Sequence, residues 1–164
     1  MRLCFNVELP NQDLQRVGLV DLNGRLMGSS RRGFKDRELS RFFPVLLCLE
    51  TLTQINEWHL RRDRYAPLYQ SGVVYQEEPP GEEEWLDIPH LYRQGWGDCE
   101  DIACARTAEL RHVGIPAVPC ISFKDFTVKG QRLTLVHVLT LWPDDTIEDP
   151  SKVLGMKGSY NDNV

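Results

Sequence analysis

The chain of 164 residues has a formal net charge of −5, with 41% hydrophobic and 26% charged residues. These totals indicate one globular domain that is long enough to bury a sizeable core. The acidic balance argues against nucleic acid or an anionic membrane as a partner. No apolar run approaches the roughly 20 residues of a membrane span. Residues 1–6 lack the apolar core of a signal peptide, so we expect a cytoplasmic protein.

The first third of the chain predicts two short β segments. Alternating apolar residues within residues 1–10 predict a strand. Further on, residues 19–20 and 26–27 lie on either side of Asn23-Gly24, which is a hairpin signal, and we expect these two pairs to form a small hairpin.

Residues 36–62 carry a helical pattern of apolar side chains. Proline is costly deep inside a helix, so the helix is expected to begin near Pro44, with Ser40 as a candidate cap. The predicted apolar stripe consists of Phe42, Val45, Leu49, Leu52, Ile55 and His59.

The middle of the chain is rich in acidic and turn-forming residues. Residues 77–84 contain five glutamates, which favours a solvated loop or, as the alternative, an acidic lip that selects basic substrates. Residues 86–97 are rich in turn formers and lead into Cys99.

The last third predicts a helix followed by antiparallel strands. The helix runs from Cys99 to about His112 and is ended by Gly114 and Pro116. Strands are expected over residues 117–123 and 133–142, joined by a loop or hairpin over 124–131. A turn at residues 143–145 then brings residues 146–149 back alongside the second strand.

The five cysteines lack the paired spacing of a zinc site or a disulfide framework, and a zinc or redox protein would need a second ligand cluster. Reduced thiols are the simplest interpretation. Cys4, Cys48 and Cys120 lie among apolar neighbours, which predicts small buried hydrophobic residues.

Cys99 is flanked by three acids, Asp98, Glu100 and Asp101. A free cysteine is only about 3% thiolate at pH 7, and carboxylates beside it lower that fraction. If the sulfur reacts, something must offset the acids. The candidates are the N-terminus of the helix that Cys99 begins, a protonated histidine, or a bound cation.

His137 is the candidate histidine. It is the single polar residue in a row of leucines on one face of the predicted strand, so it is either a buried histidine with one hydrogen bond or a catalytic base. The returning segment brings Glu148 or Asp149 near it, and the alternation of side chains lets only one of them share its face. We favour Asp149, which would orient the imidazole as in a nucleophile–base–orienter triad.

The string Gly97-Asp98-Cys99-Glu100-Asp101, the helix that ends near Gly114, the His137-Val138 strand and the Asp149-Pro150 turn resemble the transglutaminase-like cysteine peptidase superfamily. The closest likeness is to the bacterial transglutaminase-like cysteine proteinases, and similar sequences occur in bacteriophage genomes. The likeness covers residues 85–151, which leaves residues 1–84 as a divergent N-terminal part of a single domain spanning 1–164.

This resemblance implies a papain-like α+β core, with the nucleophile helix packed on an antiparallel sheet. It implies catalysis by Cys99, His137 and Asp149. It also implies calcium binding by acids that map onto Asp98 and Glu100, with Asp101 as a third candidate. The same acids are good helix caps, which is the alternative.

The expected reaction is hydrolysis of a peptide or amide through a thioester, with a protein or peptide as substrate. Transfer to an amine instead of water is an alternative that shares the first half-reaction. The backbone N–H of Cys99 would stabilise the oxyanion, joined by the side chain of Gln94 unless that residue is an ordinary loop residue. A different class of function is a structural or assembly protein, for example a component of a phage particle that binds other particle proteins.

Overall fold

The computed structural model describes residues 14–21, 26–27, 36–79 and 82–157. In chain order the elements are β1 (Leu14–Asp21), β2 (Leu26–Met27), α1 (Asp36–Arg62), a 3-10 turn (Leu68–Gln70), β3 (Val74–Tyr75), α2 (Ile88–Gln94), β4 (Trp96–Gly97), α3 (Cys99–His112), β5 (Val118–Val128), β6 (Gln131–Leu141), β7 (Ile147–Glu148) and α4 (Pro150–Val153). The chain is therefore an α+β protein. Among the described residues, none of the helices combines the length and apolar character that a membrane span requires.

A five-stranded antiparallel sheet forms the centre of the fold, in the order β2-β1-β5-β6-β7. Its middle is the β5–β6 hairpin, which stays in register from Val118↔Leu141 to Val128↔Gln131. The turn residues Lys129 and Gly130 both have positive φ, 50° and 78°, as a two-residue hairpin turn requires. This tight turn lets the ladder continue to its tip, so of the two alternatives for residues 124–131 the hairpin is confirmed and the loop is wrong.

The N-terminal predictions have mixed outcomes. The hairpin is confirmed, because Leu19 pairs with Met27 and Val20 with Leu26. The strand expected within residues 1–10 lies outside the described residues, as do Cys4 and Asn23-Gly24.

Helix α1 differs from the prediction at both the start and the buried face. It begins at Asp36 and contains Pro44 in its interior. The lost backbone hydrogen bond costs about 3 kcal/mol, which the burial of neighbouring side chains such as Leu46 offsets. Ile55, expected in the core, is 42% exposed.

Helices α1 and α3 pack on one face of the sheet, against Ile121, Phe123, Val136 and Val138. Thr140 belongs to the same face, since its hydroxyl donates to the carbonyl of Ala103 at 3.3 Å. The row of leucines that contains His137 therefore lies on the face opposite the helices. Leu139 and Leu141 instead pack with Cys120 on the opposite face.

The turn-rich segment before Cys99 is a helix followed by a short parallel strand. Helix α2 begins after Asp87, whose Oδ1 accepts from the backbone N–H of His90 at 3.2 Å. It ends at Gly95, with φ of 79°, and β4 then pairs with β3. This pairing sets the path by which the chain enters α3.

Candidate functional site

Cys99 is the first residue of α3 and is fully buried. Its Sγ lies 3.2 Å from Oε2 of Glu100. Cys99 is also disulfide-bonded, so the expectation of reduced thiols fails at this position. Cys48, Cys104 and Cys120 are free, and Cys48 is exposed rather than buried as predicted.

The acids beside Cys99 act as helix caps. Asp98 is the N-cap of α3 with extended φ and ψ of −97° and −163°. Its backbone N–H donates to Oδ2 of Asp101 at 3.4 Å, and the other oxygen of Asp101 accepts from the backbone N–H of Leu86 at 2.7 Å. Asp101 thus ties the start of α3 to the segment before α2, as capping chemistry predicts.

These carboxyl groups are unusually hard to ionise. Burial raises the pKa of Asp98 to about 7. Burial, followed by the neighbouring charge of Asp98, raises the pKa of Glu100 and of Asp101 well above its ordinary value. Near neutral pH the cluster therefore retains protons, which reduces the negative charge around the sulfur.

The acidic loop borders this cluster instead of being fully solvated. The charges of Glu78 and Glu83 contribute to the raised pKa of Asp98, after the larger effect of burial. Trp85 Nε1 donates to Oε1 of Glu83 at 3.3 Å, and the Trp85 ring packs against the core cluster that contains Cys99. The described residues of the loop thus lie close to Asp98, and the role of the loop as a lip for basic substrates stays a prediction.

Three features bear on calcium. Oδ1 of Asp98 and Oε2 of Glu78 are buried without a hydrogen-bond partner in the described part of the chain, which suits a hard cation. Both oxygens of Asp101, however, already accept backbone N–H groups. Within residues 14–21, 26–27, 36–79 and 82–157, no three acidic, histidine or cysteine side chains are arranged to hold a metal. Binding by Asp98, Glu100 and Asp101 stays a prediction.

The structure brings His137 and Asp149 together. Nε2 of His137 lies 3.1 Å from Oδ2 of Asp149, and the histidine is only 2% exposed. Asp149 is also the N-cap of α4, where its Oδ1 accepts from the backbone N–H of Lys152 at 3.2 Å. One carboxylate oxygen thus fixes the aspartate and the other faces the imidazole, which is the arrangement of an orienting acid.

Glu148, the alternative orienter, is used elsewhere. Its Oε1 accepts from Nε of Arg106 at 2.9 Å and from the hydroxyl of Tyr69. Its Oε2 accepts from Nε1 of Trp142 at 2.7 Å. Sequence reasoning missed this network, because nothing in the spacing of Tyr69, Arg106 and Trp142 indicates that they converge.

Cys99 packs against one face of β6, whereas the side chain of His137 belongs to the other face of the same strand. Cys99 belongs to the cluster that contains Val136 and Val138, and these valines alternate with His137 along β6. The pairing of β7 with β6 covers Thr140 and Leu141, so it does not extend to His137. The imidazole would have to reach the sulfur around the edge of β6 that β7 does not cover. A contact between the Cys99 sulfur and the His137 ring stays a prediction.

Gln94 lies at the exposed end of α2, where its Nε2 donates to the carbonyl of Trp96 at 3.2 Å. This hydrogen bond holds the turn that leads to Cys99 and leaves a second N–H on the same amide. A role in an oxyanion hole stays a prediction.

No protein-family model, curated protein or solved structure matches the chain. The likeness to transglutaminase-like cysteine peptidases therefore rests on the sequence motifs alone.

Proposed function

We propose that this protein is a cysteine-dependent acyl-transfer enzyme, a peptidase or amidase with Cys99 as nucleophile, His137 as base and Asp149 as orienter. The observation that carries the proposal is the 3.1 Å contact between Nε2 of His137 and Oδ2 of Asp149. It occurs in a strand–turn–strand unit that follows a helix headed by a cysteine. A papain-like core, with α3 as the nucleophile helix, is the finer fold that we propose with it.

In the proposed reaction the reduced Cys99 thiolate attacks the substrate carbonyl carbon. The C–N bond breaks, His137 gives its proton to the leaving amine, and a thioester remains. His137 then takes a proton from water as the water attacks the thioester, which releases the acid and restores the thiol. The backbone N–H groups at the start of α3 stabilise the oxyanion.

The burial and oxidation of Cys99 mean that activity requires two changes. The disulfide must be reduced, since only the thiolate is nucleophilic. The sulfur must also become accessible, and displacement of the neighbouring acidic loop is the proposed route. Calcium bound by Asp98 and Glu100 would place positive charge beside the thiolate and favour it.

The test is hydrolysis of fluorescently labelled casein by protein reduced with a phosphine. Cys99→Ala and His137→Ala are expected to abolish hydrolysis, whereas Cys48→Ala, which removes an exposed thiol outside the site, keeps it. A fluorescent amine in a parallel reaction distinguishes hydrolysis from amine transfer. Equal activity of the wild type and Cys99→Ala would refute the proposal.

One observation favours the assembly function as a second candidate. Helix α1 leaves four large apolar side chains exposed, each by more than two fifths: Phe43, Leu47, Ile55 and Trp58. Several large apolar side chains exposed on one helix are consistent with a binding face. If the protein is a particle component, it co-purifies with particles in fixed ratio, Leu47→Glu abolishes that association and Cys99→Ser does not.

A further inference from the structure

We propose that Arg106 and Glu148 are positioning residues, whose ion pair holds Asp149 in place behind His137. This inference rests on the proposed function, because it concerns the same triad. The geometry that points to it is the position of Glu148, immediately before Asp149 and hydrogen-bonded to helix α3 through Arg106.

The backbone alone holds the segment that carries Glu148 and Asp149 weakly. Strand β7 has two residues, and its ladder to β6 consists of Thr140↔Glu148 and Leu141↔Ile147. One further backbone bond, from Trp142 N to Thr146 O at 2.8 Å, closes the turn. So short a strand leaves the direction of the next residue to other contacts.

The Glu148 side chain supplies those contacts. Its two oxygens receive donors from three different parts of the fold: the 3-10 turn, α3 and the end of β6, through Tyr69, Arg106 and Trp142. Burial alone would raise the pKa of Glu148, but these hydrogen bonds lower it below its ordinary value. The carboxylate is thus charged and fixed near neutral pH.

Arg106 is itself held in place by neighbouring side chains. Its guanidinium carbon lies 4.9 Å from the centre of the Tyr69 ring and 6.0 Å from that of Trp142. Its Nη1 also lies 3.3 Å from Oε2 of Glu109 on the same helix. The arginine and glutamate side chains are 20% and 17% exposed, so solvent competes little for the pair.

The Arg106–Glu148 pair bears on the triad because Glu148 directly precedes Asp149 in the chain. Fixing Glu148 against α3 fixes the backbone from which the Asp149 side chain extends. From that position Oδ2 of Asp149 lies 3.1 Å from Nε2 of His137. The positive charge of Arg106 also balances the negative charge of the Glu148 carboxylate. Asp149 is then the carboxylate whose charge acts on the imidazole.

The experiment measures alkylation of Cys99 by iodoacetamide in the reduced protein between pH 5 and 9. Peptide mass spectrometry separates Cys99 from the exposed Cys48, which serves as the internal reference. The variants are Glu148→Gln, Arg106→Gln and the double variant. Arg61→Gln, which removes an exposed ion pair with Glu57, is the matched control.

In the wild type, a thiolate–imidazolium pair keeps Cys99 reactive at pH 6, where Cys48 is mostly protonated. Each single variant is expected to lower the Cys99 rate at pH 6 by about tenfold through misplacement of the triad. The double variant should lose no more than either single one, as expected for two residues that act as a unit. Arg61→Gln should match the wild type.

The possible failures are distinguishable. If His137→Ala leaves the Cys99 profile of the wild type unchanged, the proposed function is wrong. If His137→Ala abolishes reactivity at pH 6 but Glu148→Gln and Arg106→Gln do not reduce it, the positioning inference is wrong. Unfolding would instead raise Cys99 alkylation at pH 9 to the Cys48 level. Tyr69→Phe, which removes only one of the donors to Glu148, then provides the milder test.

Discussion

The buried acid at the start of α3 should make the protein less stable as the pH rises. Asp98 is 3% exposed, and burial raises its pKa to about 7, against 3.8 for an ordinary aspartate. A raised pKa in the folded state favours the protonated form. This contribution to stability is therefore complete below about pH 4 and is lost progressively as the pH rises through 7.

Asp98→Asn isolates this effect, because asparagine is as good an N-cap as aspartate and differs mainly in lacking the charge. The shift of about three pH units sets a ceiling of about 4 kcal/mol above pH 7, at 1.36 kcal/mol per unit. We expect Asp98→Asn to be more stable than the wild type by at least about 1 kcal/mol at pH 8, and equally stable at pH 4.

The assay is urea unfolding of both proteins at pH 4, 6 and 8, with a chelator present so that no calcium contributes. Asp144→Asn is the control, since Asp144 lies in an exposed turn where its hydrogen bond from the Thr146 backbone lowers its pKa. Because the pKa of Asp144 is lowered from 3.8, this group is ionised in both the folded and the unfolded protein between pH 6 and 8. Its contribution to stability therefore does not change in that range. If the wild type and Asp98→Asn lose stability in parallel from pH 4 to 8, the argument about the buried acid is wrong.

Three further predictions concern the same region. In Gly97→Ala the new Cβ would lie 2.5 Å from Cδ1 of Leu91 and 3.0 Å from Oδ2 of Asp101, so thermal unfolding should show a loss of about 1–3 kcal/mol. The buried Leu49→Ala should lose about 2–5 kcal/mol in urea unfolding. The exposed Leu47→Ala on the same helix should change by no more than about 0.5 kcal/mol, and equal losses would contradict the assigned core. Calcium should raise the melting temperature of the wild type at pH 8, which is above the pKa of about 7 for Asp98, and an unchanged melting temperature counts against the calcium site.

Local signals in the sequence predicted the elements nearest the site. Helix α3 begins at Cys99 and ends at His112 as expected, because a good N-cap precedes it and Gly114, with φ of 87°, follows it. The contact of Asp149 with His137 follows from the turn at residues 143–145 and the alternation of side chains along a strand. These features depend on residues close together in the chain.

Features that depend on distant residues were not predictable in the same way. Pro44 stays inside α1 because tertiary packing of the helix outweighs its local preference. The face of β6 that meets the helices is decided by the path of α1 and α3, and the alternation of apolar residues on both faces does not reveal it. The network around Glu148 likewise joins residues 69, 106 and 142, whose meeting is a property of the fold.

The central claim is that a reduced thiol and an imidazole meet at the edge of β6. A crystal structure of the phosphine-reduced protein tests it most directly, through the distance between Sγ of Cys99 and the nearer ring nitrogen of His137. We expect about 4 Å or less, with the contact between Asp149 and the other ring nitrogen retained. A sulfur that stays among Val136 and Val138 with the imidazole on the far face of the strand would contradict it.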